Sequence, residues 1–121
     1  MGDAHRVLVV EDDVSVQELI ADALTDEGLS VRTAIATRHA AQLAEEECPE
    51  LVVLDWMLPD GDGSDAARAL RSHCPELPIL VVTAASEPAE KAAQIGAVGY
   101  LSKPFDLTTL IDAVMGGLGK N

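Results

Sequence analysis

The sequence predicts an α/β domain: a doubly wound, five-stranded parallel sheet with five helices on its two faces. Three observations carry this expectation. Apolar runs at 7–10, 51–54 and 79–82 are too short for helices, rich in Val and Ile, and do not alternate with polar residues. Such runs suit strands covered on both faces. The stretches between them repeat apolar residues at helical spacing. The two kinds of segment alternate five times, which calls for crossover connections and hence parallel strands.

The elements follow in order. Strand 1 spans 7–10. In the helix after it, Val16, Leu19, Ile20, Ala23 and Leu24 recur at i, i+3, i+4, i+7 and i+8, with Asp13 placed to cap its start and Gly28 past its end. Strand 2, at 30–34, alternates Val31 and Thr33 with Ser30 and Arg32, the pattern of an edge. A helix at 37–47 stops before Pro49, strand 3 follows at 51–54, and a third helix at 64–73 stops before Pro75. Strand 4 spans 79–82; Ser86 is expected to cap the fourth helix, with Pro88 in its first turn and Gly96 past its end. Strand 5, at 98–101, contains Gly99, again suited to an edge. Asp106 caps the last helix, whose apolar face is Leu107, Leu110, Ile111 and Val114. With strands 2 and 5 at the edges, the strand order is 2-1-3-4-5, the flavodoxin-like winding.

Size and composition narrow the function. A chain of 121 residues, 48% hydrophobic but only 2% aromatic, is expected to fold as one domain (1–121) with an aliphatic core. Residues 116–121, with three glycines, read as a flexible tail or the start of a linker. A formal charge of −13 argues against direct binding of nucleic acid or an anionic membrane surface. No apolar run approaches a membrane span, and residues 1–6 lack the pattern of a secretion signal. Gly2 is in a poor context for myristoylation. Cys48 and Cys74 form no metal-ligand spacing and are expected to be reduced thiols of a cytoplasmic protein, although their spacing alone leaves a bridge open.

In open α/β sheets, ligands bind beyond the carboxyl ends of the strands, where the winding reverses. Glu11, Asp12 and Asp13 follow strand 1, Asp55 follows strand 3, Thr83 follows strand 4, and Lys103-Pro104 follows strand 5. Strand 2, which points away from the reversal, is followed only by Ala34, Ile35 and Ala36. Converging carboxylates repel one another, and a divalent cation relieves this. All-oxygen ligation by few protein groups suits Mg²⁺. Carboxylates, cation, the Lys103 ammonium and the Thr83 hydroxyl together make a receptor for a phosphoryl group, with Asp55 as the acceptor at the end of the central strand.

The segments Val9-Val10-Glu11-Asp12-Asp13, Asp55-Trp56-Met57-Leu58-Pro59-Asp60-Gly61-Asp62-Gly63, Val82-Thr83-Ala84 and Gly99-Tyr100-Leu101-Ser102-Lys103-Pro104-Phe105 resemble, in order and spacing, a bacterial two-component response regulator receiver domain of the chemotaxis-regulator kind. The resemblance covers essentially the whole chain. It implies a phosphorylation switch: a signalling module in the cytoplasm rather than an enzyme. Asp55 matches the phosphoacceptor, Asp12 the direct Mg²⁺ ligand, Glu11 the acid acting through water, and the Met57 backbone carbonyl a further ligand. Thr83 matches the hydroxyl that moves toward the phosphoryl group, Lys103 the ammonium that bonds it, with a cis bond to Pro104, and Tyr100 the switch aromatic. The implied partners are a sensor histidine kinase or histidine phosphotransfer protein, and an output domain or target protein controlled through the helix 4–strand 5–helix 5 face. The last helix has no basic residue before Lys120, unlike transcription-factor receivers that dimerise through that face.

The competing reading is a Toprim-like, Mg²⁺-dependent nucleic-acid enzyme using Glu11, Asp60 and Asp62. The acidic balance and the lack of a role for Asp55 and Lys103 weigh against it. A haloacid-dehalogenase-type phosphatase would place an Asp where Met57 stands, and a flavin-binding flavodoxin would place a phosphate loop where Glu11-Asp12-Asp13 stands.

Overall fold

Alternate residues of each apolar run face opposite sides of the sheet, as the two-residue period of a strand demands. In the computed structural model, which describes residues 4–119, Leu8, Val10, Val52, Leu54, Ile79 and Val81 line one core and Val7, Val9, Leu51, Val53, Leu80 and Val82 line the other. The elements are β1 (Arg6–Val10), α1 (Val14–Asp26), β2 (Ser30–Ala34), α2 (Thr37–Glu46), β3 (Leu51–Leu54), β4 (Met57–Leu58), β5 (Gly61–Asp62), α3 (Gly63–His73), β6 (Ile79–Thr83), α4 (Pro88–Gln94), β7 (Gly99–Ser102) and α5 (Leu107–Gly117). Five of the strands form one parallel sheet in the order β2-β1-β3-β6-β7. That is the expected 2-1-3-4-5 winding once the short β4–β5 hairpin is set aside. Helices α2, α3 and α4 cover the first core through Ala40, Ala44, Ala66, Ala67, Leu70 and Ala92. Helices α1 and α5 cover the second through Ile20, Leu24, Leu110 and Val114.

Several expectations need correction. Leu19 is 49% exposed, and the buried row of α1 is Gln17, Ile20 and Leu24. Gln17 is tolerated there because its amide donates to the carbonyls of Glu11 and Ala34, both at 3.1 Å. Ser86 does not cap α4. The N-cap is Glu87, in the left-handed region at φ 54°, and its side chain makes no capping bond. The antiparallel β4–β5 hairpin was not foreseen, because two-residue strands carry no periodic signal. Residues 116–117, expected in a tail, close the last turn of α5, where a Cβ on Gly117 would stand 2.9 Å from Leu51 Cδ1. Gly2, Lys120 and Asn121 lie outside the described residues.

The two cysteines are not free thiols: Cys48 and Cys74 form a disulfide, with their Cα atoms 5.9 Å apart. Residues 26 apart in sequence meet because α2 and α3 lie side by side on one face of the sheet and end at the same pole. Cys48 follows the end of α2, and Cys74 is the C-cap of α3. Closing a loop of this length stabilises the folded chain by about 3 kcal/mol in the chain-entropy account. Reduction with dithiothreitol, or the paired change Cys48→Ser with Cys74→Ser, is expected to lower the denaturation midpoint accordingly. Equal midpoints for the oxidised and reduced protein would refute the bridge.

Candidate functional site

The winding reverses between β1 and β3, and the carboxyl ends of these two strands open onto one crevice. Glu11, the residue after β1, is held by its backbone N–H on the carbonyl of Ala34 at 3.0 Å. Asp55, the residue after β3, is held in the same way on the carbonyl of Val10 at 3.0 Å. Both side chains are enclosed: Glu11 is 2% exposed and Asp55 7%. Asp12 stands at the rim, exposed. Lys103 follows β7, its backbone N–H on the carbonyl of Thr83 at 2.9 Å and its peptide bond to Pro104 cis.

The charges then distribute themselves. The Lys103 ammonium donates to Glu11 Oε1 at 2.5 Å and to Asp55 Oδ2 at 2.9 Å. The other Asp55 oxygen, Oδ1, accepts the backbone N–H of Met57 at 3.2 Å. Glu11 Oε2 accepts the N–H of Asp13 at 3.1 Å. Burial pushes the Glu11 carboxyl above its ordinary value and the Asp55 charge adds to this, against the opposing pull of Lys103 and the Asp13 N–H. For Lys103, burial works to lower its value, but the bonds to Glu11 and Asp55 outweigh it and hold the ammonium charged.

Among the described residues, Glu11, Asp12 and Asp55 can each offer a carboxylate oxygen within 4.8 Å of the others. Such a set of hard oxygen donors fits a small divalent cation such as Mg²⁺. Thr83 is fully buried at the end of β6, and its hydroxyl accepts the N–H of Ala85 at 3.1 Å. Tyr100, on β7, faces outward and is 47% exposed. The side chain of Met57 stands in the open at 64%.

The remaining acids are engaged elsewhere. Asp13 caps α1 through the N–H of Val16. Asp60 accepts from the backbone at the start of α2, and Asp62 caps α3 in a reciprocal box with Asp65. The Asp60–Asp62 pair of the Toprim reading therefore does not join Glu11. Sequence reasoning left Gln17 unmarked, although it supports the carbonyls of Glu11 and Ala34 from beneath the site. A polar side chain at i−3 and i−7 from Ile20 and Leu24 was the available signal.

Replacing Lys103 with Met leaves Glu11 and Asp55 buried without their partner and is expected to cost about 2 kcal/mol in the absence of metal. Because the ammonium's value is raised by folding, its contribution is complete below the ordinary 10.5 and is lost as pH rises through the folded value. The stability gap between parent and Lys103→Met should thus be full at neutral pH and close at strongly alkaline pH. Mg²⁺ should raise the melting temperature of the variant more than that of the parent. Equal stability at neutral pH would contradict the assignment.

A family model described as a response regulator receiver domain matches residues 7–115. The response regulator MprA of Mycolicibacterium vanbaalenii is 44% identical over 108 residues, which are 88% of this chain and 47% of that protein. The chain thus spans about half the length of the curated relatives it matches. Among solved structures, the chemotaxis response regulator CheY4 of Vibrio cholerae superimposes with a TM-score of 0.86 at 30% identity, covering 94% of this chain and 98% of that one. The non-phosphorylated HemR receiver domain of Leptospira biflexa gives 0.85 at 29% identity, covering 97% and 96%. The sheet order, the acid crevice and these matches agree: the chain belongs to the response regulator receiver domains.

Proposed function

We propose that this receiver is a phosphorylation-dependent switch in a cytoplasmic two-component relay, with Asp55 as the acceptor. The observation that carries the reading is the setting of Asp55. It lies at the end of the central strand, with one oxygen on Lys103 and the other on the Met57 N–H, beside Glu11 and Asp12. In the reaction an Asp55 carboxylate oxygen attacks the phosphorus of a phosphohistidine on a sensor kinase or phosphotransfer protein. The phosphorus–nitrogen bond breaks, and the imidazole leaves with a proton. Lys103 then neutralises phosphoryl oxygens, and Thr83 offers its hydroxyl as a donor. Glu11, Asp12, Asp55 and the Met57 carbonyl would hold Mg²⁺, which when bound supplies positive charge against the phosphoryl oxygens.

The output runs to the α4–β7–α5 face. In the sheet, Thr83 pairs with Ser102 and Val81 with Tyr100, so a displacement of Thr83 is felt directly along β7. A few kcal/mol of differential interaction suffices to shift such a two-state population. Tyr100 turns inward as Thr83 moves, and an output domain or separate target reads the altered face. The Toprim-like reading is not favoured, since Asp60 and Asp62 are spent on helix starts.

With acetyl phosphate and Mg²⁺, the parent should gain one phosphoryl mass, and Asp55→Asn should gain none while keeping its circular dichroism spectrum. Modification of the variant at the parent's rate would sink the assignment. The lifetime of the phosphoryl group is expected to be long. In this reading Met57 and Ala85 flank the approach of water; neither side chain makes a useful hydrogen bond to hold it in line, and Met57 is bulky enough to cover the path. The double change Met57→Asn with Ala85→Glu should speed loss of phosphate severalfold after the donor is removed. An equal or slower rate would overturn the shielding role.

A further inference from the structure

The β4–β5 hairpin carries a carboxylate that the phosphoryl chemistry does not use. Asp60 stands at the hairpin tip, and its two oxygens accept the backbone N–H groups of Thr37 at 2.8 Å and Arg38 at 3.0 Å. These are the first two residues of α2. The first turn of a helix has N–H groups without intrahelical partners, usually taken by the residue at the N-cap. Here the N-cap is Ala36, whose methyl group accepts nothing. A side chain 23 positions away supplies the cap instead. The bonds from Arg38 and Thr37 hold the Asp60 carboxyl below the ordinary aspartate range.

The same hairpin is tied at two further points. At its base the Met57 N–H holds Asp55 Oδ1 at 3.2 Å. On its far strand Asp62 joins α3 through the capping box, and Gly63 lies so close to Trp56 that a Cβ there would stand 2.3 Å from the indole. An isolated pair of two-residue strands has almost no stability of its own. Its shape is therefore set by where it is fastened, and Asp60 is the only one of these fastenings that reaches α2.

We propose that Asp60 is a positioning residue for the phosphoacceptor site: by fastening the hairpin tip to α2 it fixes the Met57 backbone, and through the Met57 N–H the orientation of the Asp55 carboxylate. The inference rests on the reading of Asp55 and its neighbours as the Mg²⁺ and phosphoryl site. It assigns Asp60 a task separable from capping α2. A cap can be supplied locally at position 36, where the extended backbone suits an N-cap, without restoring the bridge to the hairpin.

That separation is the test. Parent, Asp60→Ala, Ala36→Ser and the double variant are compared by melting temperature and by titration with Mg²⁺ alone, read on the fluorescence of Trp56 next to Asp55. Asp60→Ala should melt a few degrees lower and bind Mg²⁺ roughly tenfold more weakly, as loss of a group that orients a metal ligand does. Adding Ala36→Ser should recover the melting temperature and leave the Mg²⁺ affinity depressed. Asp60→Asn, which keeps one acceptor oxygen, should fall between parent and Asp60→Ala in affinity. If the double variant recovers both properties, or if Asp60→Ala binds Mg²⁺ like the parent, Asp60 is a helix cap only and the inference is overturned. If the parent itself shows no Mg²⁺ response, the reading of the acid crevice fails first and takes this inference with it.

Discussion

Two buried carboxylates facing one another cost free energy unless a cation stands between them, and in this protein the cation is the Lys103 ammonium. It reaches Glu11 at 2.5 Å and Asp55 at 2.9 Å. In doing so it draws together the ends of β1, β3 and β7, which are not all neighbours in the sheet. In low-dielectric surroundings such a contact is strong when complete and expensive when one partner is missing. The site is thus closed by charge while the sheet beneath it is closed by apolar packing. Under the proposed function, a phosphoryl group or a divalent cation entering the crevice would compete for the same three side chains.

The scaffold leaves the crevice little freedom except at its loops. Every central strand is lined on both faces by aliphatic side chains, so the strand ends are fixed in space by packing. The loops after β3 and β6 are different. The first is a short hairpin whose shape depends on Asp60, Asp62 and the Met57 N–H. The second contains Glu87 at φ 54°, a conformation that costs about 1 kcal/mol for a residue with a side chain. Thr83, with its hydroxyl on the Ala85 N–H, sits where the rigid strand meets that strained loop. Under the proposed switch, a phosphoryl group in the crevice would recruit this hydroxyl, and β7 with Tyr100 lies beside β6 in the sheet.

The acids of this chain show how one residue type is divided between unlike tasks. Glu11, Asp12 and Asp55 share the crevice. Asp13, Asp62 and Asp106 each take a backbone N–H at the start of their own helix. Asp60 does the same for a helix that is not its own. A carboxylate at a helix start is stabilised by several N–H donors and by the helix dipole. A carboxylate in the crevice is stabilised only by Lys103, a few N–H groups and whatever cation is present. The formal charge of −13 says nothing of this division.

Local patterns were enough for the winding, the five main strands and helices to within a residue or two, and the convergence of Glu11, Asp12, Asp55, Thr83 and Lys103 on one edge. Unalternating Val and Ile runs, helical spacing and capping residues are short-range signals, and the winding rule turns their order into a place for the site. Contacts between segments distant in sequence were beyond such patterns. The burial of Gln17 in place of Leu19 depends on two carbonyls arriving from β1 and β2. The Cys48–Cys74 bridge depends on two helices ending at one pole. The cap of Asp60 on α2 depends on a hairpin too short to announce itself. Periodicity records which face of an element is apolar; which polar group from elsewhere meets that element is settled only when the sheet brings the segments side by side.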